Sequence, residues 1–304
     1  MVNSSIGGHT RPTLVVVGAA TRDIDASDPR GWRLGGTVTY SSLVAARLGL
    51  DVRALVGVDR EAATAHDLDI LRSAGVEVEL VPLEHGPVFH NRQTETGRQQ
   101  HAMDVSDQLP VDALPTAWRS PTAALLGPVA AELGPEWAGA FGQPVLFALA
   151  AQGVVRLLTV GAPVEAMSLH RGPLIERADV ILISAEDILA GSEPLRELLR
   201  PGQALLVTNG ESGAVAIRRD ASGISGRHAP SLPPRQVVDT TGAGDTFLAA
   251  WLAARLLTGM DDWRALAVAS AVASLSVERG TLDETPTLAD LCEVLVRQRD
   301  RHLD

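Results

Sequence analysis

Lysine is missing from this chain of 304 residues; its basic side chains are all arginine. That absence excludes three chemistries. A P-loop places a lysine on the phosphates, a protein-kinase site needs a strand lysine, and Schiff-base catalysis needs a lysine amine. Cysteine is nearly absent too. The single Cys292 rules out an intrachain disulfide and fits a reducing compartment. Aromatic residues make up only 3% against 45% hydrophobic residues overall, so the core is built from Ala, Val and Leu, which suits closely packed α/β layers. No apolar run is long enough to span a bilayer, and Trp251–Leu257 is interrupted by Arg255. The N-terminus lacks a basic segment followed by a long apolar run, so no signal peptide is expected and a cytoplasmic location is. A net charge of −11 argues against a general nucleic-acid binder, since phosphate backbones require basic patches. Neither nucleic acid nor membrane is expected as a partner.

What is present is a repeated strand–helix pattern. Thr13–Val17, Val52–Val58, Val76–Val81, Thr122–Leu126, Pro144–Leu149, Val180–Ile183, Ala204–Thr208 and Ala214–Arg218 read as strands. Thr37–Leu48 and Glu61–Ala74 read as helices closed by Gly49 and Gly75, and further helices are expected between the later strands. The last third reads as three helices, Ala243–Leu257, Trp263–Val277 and Leu288–Arg301, preceded by a rigid Pro230–Pro234 linker. Such alternation implies a parallel or mixed sheet covered on both faces. Gly86–Met103 differs. It is polar, and its two short segments, Val88–Gln93 and Arg98–Met103, flank a Glu95-Thr96-Gly97 turn, which predicts a hairpin with one wet face. Asn91 on that hairpin is a candidate to reach a substrate.

The most informative stretch runs Val237-Val238-Asp239-Thr240-Thr241-Gly242-Ala243-Gly244-Asp245-Thr246-Phe247. We read it as an apolar strand entering a Gly-Ala-Gly turn that opens an apolar helix. Gly242 and Gly244 let a ligand approach the backbone. The first N–H groups of the helix lack internal acceptors and the helix dipole adds positive potential there, so the turn is an anion cradle. Asp245 at its lip is either a first-turn cap or a general base accepting the proton of an attacking hydroxyl.

Asp-Thr-Thr-Gly-Ala-Gly-Asp-Thr-Phe resembles the C-terminal signature of the ribokinase-like, or PfkB-type, carbohydrate kinases. The resemblance implies a three-layer α/β/α sandwich over residues 1–304 with a small β-sheet lid from about 19–36 and 86–103. It implies Asp245 as catalytic base and the amides of Gly242, Ala243 and Gly244 as the anion hole. Asp239 and Thr241 lie where many members bind K⁺. Gly18-Ala19-Ala20-Thr21-Arg22-Asp23 places Asp23 where the family binds sugar hydroxyls, and Gly35-Gly36 resembles its N-terminal motif of close backbone approach to substrate. Where the family usually has Asn, four residues after the second glycine, this chain has Tyr40, its only tyrosine, which either lines a pocket for a larger or flatter acceptor or packs in the core. Gly-Gly-Thr-Val-Thr-Tyr is similar to a branch related to inositol kinases.

Ser184-Ala185-Glu186-Asp187 reads as a helix start of capping-box type, and the family uses the corresponding motif to organise Mg²⁺ through water, which implies an indirect role for Glu186 and Asp187. Thr208-Asn209-Gly210-Glu211-Ser212-Gly213 suits a hairpin turn on its own. It also matches the family's ATP-contacting pattern, with Thr208, Gly210 and Gly213 on the nucleotide and the adenine between this turn and Ser270–Gly280. The resulting expectation is an ATP- and Mg²⁺-dependent kinase for a hydroxyl of a sugar, polyol or nucleoside, with dimerisation through the lid left open. The alternatives are a degenerate kinase fold that binds ligand and regulates a partner, and a vitamin-alcohol kinase on the same fold.

Overall fold

The computed structural model describes residues 11–94, 97–143, 145–189, 195–280 and 282–301. A nine-stranded sheet forms its centre. From one edge, its strands are Gly223–Ala229, Ala214–Asp220, Ala204–Thr208, Val180–Ser184, Leu146–Ala150, Ala123–Leu126, Thr13–Ala19, Asp51–Val58 and Glu77–Pro82. The last seven of these run parallel, and the first two form an antiparallel hairpin at one edge. The first strand shows why the sheet is buried on both faces. Leu14 and Val16 join one hydrophobic core while Val15 and Val17 join the other, the period-two alternation of a strand.

The helices Thr37–Arg47, Ala243–Thr258 and Asp262–Ser276 pack on one face. The expected helix over 61–74 is instead a turn of 3₁₀-helix, Ala62–Thr64, followed by the helix Asp67–Ser73. The Asp59 carboxylate accepts from the Glu61 and Ala62 amides and starts the first turn, and extended Ala65 breaks it from the second. The opposite face departs further from expectation. Between the later strands lie 3₁₀ turns such as Thr116–Trp118 and Pro135–Gly139 and a short helix, Pro173–Arg177, rather than full helices. Frequent prolines and glycines (Pro110, Pro115, Pro121, Pro128, Gly134, Pro135) stop helix propagation there. Trp118, Trp137, Phe141 and Phe147 fill the layer in their place.

A second, five-stranded sheet orders Ala162–Pro163, Gly97–Asp104, Val88–Thr94, Thr21–Ile24 and Trp32–Gly35. The Glu95 and Thr96 turn positions, like the Pro144 strand start, lie outside the described residues. Residues 162–163, the short ribbon Arg156–Leu157 with Glu165–Ala166, and the exposed edge strand Gly223–Ala229 carry no hydrophobic alternation and were not legible in the sequence. The signature segment corrects another expectation. Val237–Asp239 belongs to neither sheet; Val237 and Val238 are about half exposed, and Val238 N–H bonds to the Val277 carbonyl after the Asp262–Ser276 helix.

Strand order reverses beside Thr13–Ala19. The chain adds strands to one side of it first and, from Ala123–Leu126 on, to the other. The carboxyl ends at such a switch point form the crevice where ligands bind in open α/β sheets. Here the backbone is held by Glu132. Its carboxylate is fully buried and accepts from the amides of Ala19, Val129 and Ala130 at 2.8–3.2 Å. Burial raises its carboxyl above the usual carboxylate range, with those amides pulling it down. Glu132→Ala would strand these donors, and we expect a loss of about 3 kcal/mol. Urea denaturation should show a lower midpoint at unchanged slope, and an unchanged midpoint would contradict the role given to Glu132.

Candidate active site

The Ala243–Thr258 helix opens on Gly242, whose left-handed backbone (φ 74°) turns the chain from the extended segment into the helix. A Cβ there would lie 2.5 Å from the Tyr40 ring, so glycine is required by conformation and by space. Gly244, two residues on, borders open space. The Ala243 N–H is directed at the Thr240 carbonyl at 3.3 Å, so the turn engages one of the expected anion-hole amides internally. At the helix mouth stands Asp245. Burial pushes its carboxyl above the usual range, while the neighbouring Thr37 hydroxyl and the charge of Arg156 pull it down. Ser41 donates to the Asp245 carbonyl, which ties the Thr37–Arg47 helix to this turn.

Beside the turn is a cleft of about 450 Å³, lined by Asp23, Ile24, Asp25, Arg33, Tyr40, Asn91 and residues 237–241. Asp23 enters it from the Thr21–Ile24 strand and accepts from the Thr21 hydroxyl at 3.1 Å. Gly35, on the paired strand, leaves no room for a Cβ because Asp23 and Thr21 occupy that place; Gly36 (φ 93°) lies against the Ala19 carbonyl. Asn91 accepts from Gln100 Nε2. Tyr40 resolves the two sequence alternatives by doing both: it is mostly buried against the core and under Gly242, and it lines the cleft. Burial and the charges of Asp23 and Asp239 raise its hydroxyl well above the ordinary phenol value.

Asp239 and Thr241, expected at a K⁺ site, are adjacent here. Asp239 accepts from Thr241 N–H at 2.9 Å and pairs with Arg33 at 3.2 Å, while Arg33 also donates to the Gly280 carbonyl and pairs with Asp25. A guanidinium therefore already neutralises Asp239. What remains for a cation is a small cavity lined by Asp239, by hydroxyls that include the buried Thr246 group without a partner among the described residues, and by Arg279.

The expected Mg²⁺ side chains fit that role poorly. Both Asp187 oxygens accept from Arg156, at 2.8 and 3.1 Å, and only Glu186 is exposed. Ser184 caps the turn as expected by accepting from Glu186 N–H, but Asp187 reaches Arg156 instead of back to Ser184. Among the described residues there is no cluster of three metal-ligating side chains. On the presumed nucleotide side, Thr208 ends its strand and Gly210 and Gly213 both have positive φ. Gly213 packs directly on the Ala229–Ser231 backbone. The Ser270 hydroxyl is spent on the Pro230 carbonyl, and Ser274 accepts from Leu232 N–H. Residues 230–232 thus bridge the turn and the Asp262–Ser276 helix. Arg156, Arg33 and Glu132 were not singled out by sequence reasoning; each owes its place to at least one partner far away in the chain.

Comparison with known proteins gives the architecture a place. A pyrophosphate-dependent kinase in the ribokinase family, solved with a pyrophosphate analog and myo-inositol, superposes with a TM-score of 0.74 over 92% of this chain and 99% of its own at 20% identity. Ribokinase from Thermotoga maritima gives 0.69 over 94% and 99% at 17% identity. At such identities the likeness establishes the ribokinase-like fold. Residues 180–288 match the model described as pfkB family carbohydrate kinase. That stretch, which takes in the Gly242–Asp245 turn, is where the chain matches the PfkB family. Among curated relatives, Bifunctional protein HldE of Stutzerimonas stutzeri is 31% identical over 261 residues, covering 81% of this chain and 52% of that protein. Probable fructokinase-6, chloroplastic, of Arabidopsis thaliana is 37% identical over 138 residues, 40% of this chain and 35% of the relative. The chain thus spans about half the length of the HldE relatives it matches over most of its own sequence. No helix among its described residues is long and apolar enough to cross a membrane.

Asp245 gives a stability prediction with a definite sign. Its folded-state carboxyl is raised from 3.8, so the folded chain holds that proton more tightly than the unfolded chain. Ionisation then costs stability progressively as pH rises above 3.8, and the cost is complete above the folded value. Asp245→Asn should raise Tm at pH 7, with the gain shrinking as pH falls toward 4. A lower Tm for the variant at pH 7 would contradict the burial argument.

Proposed function

We propose that this protein transfers a phosphoryl group from ATP to a hydroxyl of a sugar, polyol or nucleoside. The observation that carries the reading is the juxtaposition of a left-handed Gly242 turn, a carboxylate at the mouth of a 16-residue helix, and a polar cleft beside them. Asp23 and Asn91 would bind acceptor hydroxyls, and the Gly35-Gly36 backbone would set their distance. A carboxylate accepts from two vicinal hydroxyls at once, which suits a polyol. Asp245 would take the hydroxyl proton as the acceptor oxygen bonds to phosphorus and the bond to the leaving phosphate breaks, its electron pair leaving with that phosphate. The open backbone at Gly244 and the helix mouth would receive the phosphate oxygens. A raised carboxyl is suited to this role because it holds a proton more readily than an ordinary aspartate.

When bound with the donor, Mg²⁺ supplies charge neutralisation on its phosphates. Glu186 is the exposed carboxylate available near that metal, since Asp187 is committed to Arg156. A second reading of the donor is favoured by one observation. The Ser270 hydroxyl, expected near adenine, is used inside the protein on the Pro230 carbonyl, and so is the Ser231 hydroxyl beside the turn, on the Glu211 carbonyl at 2.5 Å. A donor without a nucleoside, pyrophosphate, would need none of them, and a structurally similar kinase is described as pyrophosphate-dependent.

The test is a matrix of donors, ATP and pyrophosphate, against sugars, cyclic polyols and nucleosides, each with and without K⁺. Turnover with one acceptor class is expected, and Asp245→Asn should lower kcat by at least about 10² while donor affinity stays within a few-fold. Undiminished turnover in that variant would remove the base. Nucleotide binding with no turnover on any acceptor would instead favour the regulatory alternative. Because Asp245 must be ionised to act, kcat/KM should fall on the acid side at a pH above 3.8. An acid limb at or below that pH would contradict the raised carboxyl.

A further inference from the structure

The proposed reaction leaves one cation unused. Arg156 lies just beyond the Leu146–Ala150 strand, at the carboxyl edge of the main sheet, and its side chain is 19% exposed. Nε and one terminal nitrogen grip both oxygens of Asp187, which follows the neighbouring strand Val180–Ser184. The other terminal nitrogen donates to Gln100 Oε1 at 3.0 Å, on the smaller sheet. Gln100 in turn donates to Asn91, which lines the acceptor cleft. One planar group thereby joins the main sheet, the smaller sheet and the cleft. Among the described residues these bonds leave guanidinium N–H groups uncommitted, and the charge of Arg156 pulls the Asp245 carboxyl down.

Such an arrangement holds a fork of donors at fixed orientation, as bidentate pairing to a carboxylate does. A purely structural ion pair would not need a third partner on a separate sheet. A phosphoryl group in flight carries its charge on its peripheral oxygens, and a chain without lysine must meet that charge with amides or arginine. Of the arginines around the site, Arg33 is occupied by Asp25, Asp239 and the Gly280 carbonyl at the rim of the cleft, and Arg279 by Asp290 and the Glu284 carbonyl. Arg156 is the one linked both to an acceptor ligand and electrostatically to the proposed base.

We propose that Arg156 is a catalytic residue that donates hydrogen bonds to the oxygens of the phosphoryl group between acceptor and donor, with Asp187 and Gln100 as its positioning residues. This rests on the phosphotransfer reading above. Arg156 exchanges no proton: the acceptor proton goes to Asp245, and the electron pair of the broken P–O bond leaves with the donor's remaining phosphate. Asp187 fixes the plane of the guanidinium, and Gln100 relays the position of the acceptor-binding strand to it.

The experiment compares Arg156→Ala, Arg156→Lys and Gln100→Leu with the wild type in three readouts. In turnover, Arg156→Ala should lose about 10²–10³ in kcat, the scale of removing one transition-state donor, with acceptor KM within a few-fold. Arg156→Lys, which keeps the charge and loses the fork, should be intermediate, and Gln100→Leu should lose about tenfold or less. Added guanidinium ion should restore part of the Arg156→Ala loss, which a residue serving only the fold would not allow. In direct titration, pyrophosphate should bind Arg156→Ala at least about tenfold more weakly than wild type, with Tm and circular dichroism reporting an intact fold. An Arg156→Ala kcat within threefold of wild type overturns the proposal, as does equal pyrophosphate affinity in the two proteins. If wild type turns over no acceptor yet its pyrophosphate affinity still depends on Arg156, the anion contact stands and the kinase reading falls.

Discussion

Keeping the Asp245 carboxylate ionised at a desolvated helix mouth is the constraint on which the proposed site turns. Asp245 and any phosphate at the Gly242–Gly244 turn repel one another, and desolvation opposes the charge on Asp245 further. The fold answers with partial charges rather than mobile ones. A helix mouth, a glycine turn with open backbone, and an arginine pinned by a carboxylate supply positive potential from fixed positions. Fixed dipoles need no reorganisation when charge moves, which is where preorganised sites gain most. The missing lysines are consistent with this solution, because a flexible ammonium is replaced by planar guanidinium groups held on two sides.

The two sheets meet through polar contacts as well as through Leu34, which joins the main core from the smaller sheet. Arg33 on the smaller sheet reaches Asp239 and Gly280 on the C-terminal part of the chain, and Gln100 reaches Arg156 beyond the main sheet. The cleft lies between these two bridges. Hydrogen-bonded, partly solvated bridges are cheaper to rearrange than packed apolar layers. The hydrophobic clusters, by contrast, lock the main sheet on both faces and keep the switch-point loops, with Glu132 beneath them, in one arrangement.

The parts of the fold that were legible in the sequence are those that local physics decides. The Ala243–Thr258 helix announced itself by apolar spacing and by a glycine at each end, both of which take left-handed backbone. The Val88–Thr94 and Gly97–Asp104 hairpin showed as a polar interruption. What could not be read depends on partners distant in sequence. Asp187 looked like a local cap because nothing nearby reveals that Arg156 will claim it, 31 positions away. Asp239 looked like a cation ligand because Arg33 is on another strand. Val237–Asp239 read as a strand from its β-branched residues, yet tertiary bonding to Val277 overrode that propensity. The thin layer of 3₁₀ turns was hidden because the period of an amphipathic helix cannot develop between so many prolines.

Tyr40 under Gly242 constrains how this protein could diversify. The wall of the cleft and the Gly242 turn share one van der Waals surface, since a Cβ at Gly242 would fall 2.5 Å from the tyrosine ring. A bulkier side chain at position 40 would lift the turn, and a smaller one would leave a void beneath it. Changes of acceptor preference that spare the chemistry are therefore easier to accumulate at the opposite rim, around Asn91 and Val237, than at the one tyrosine in the chain.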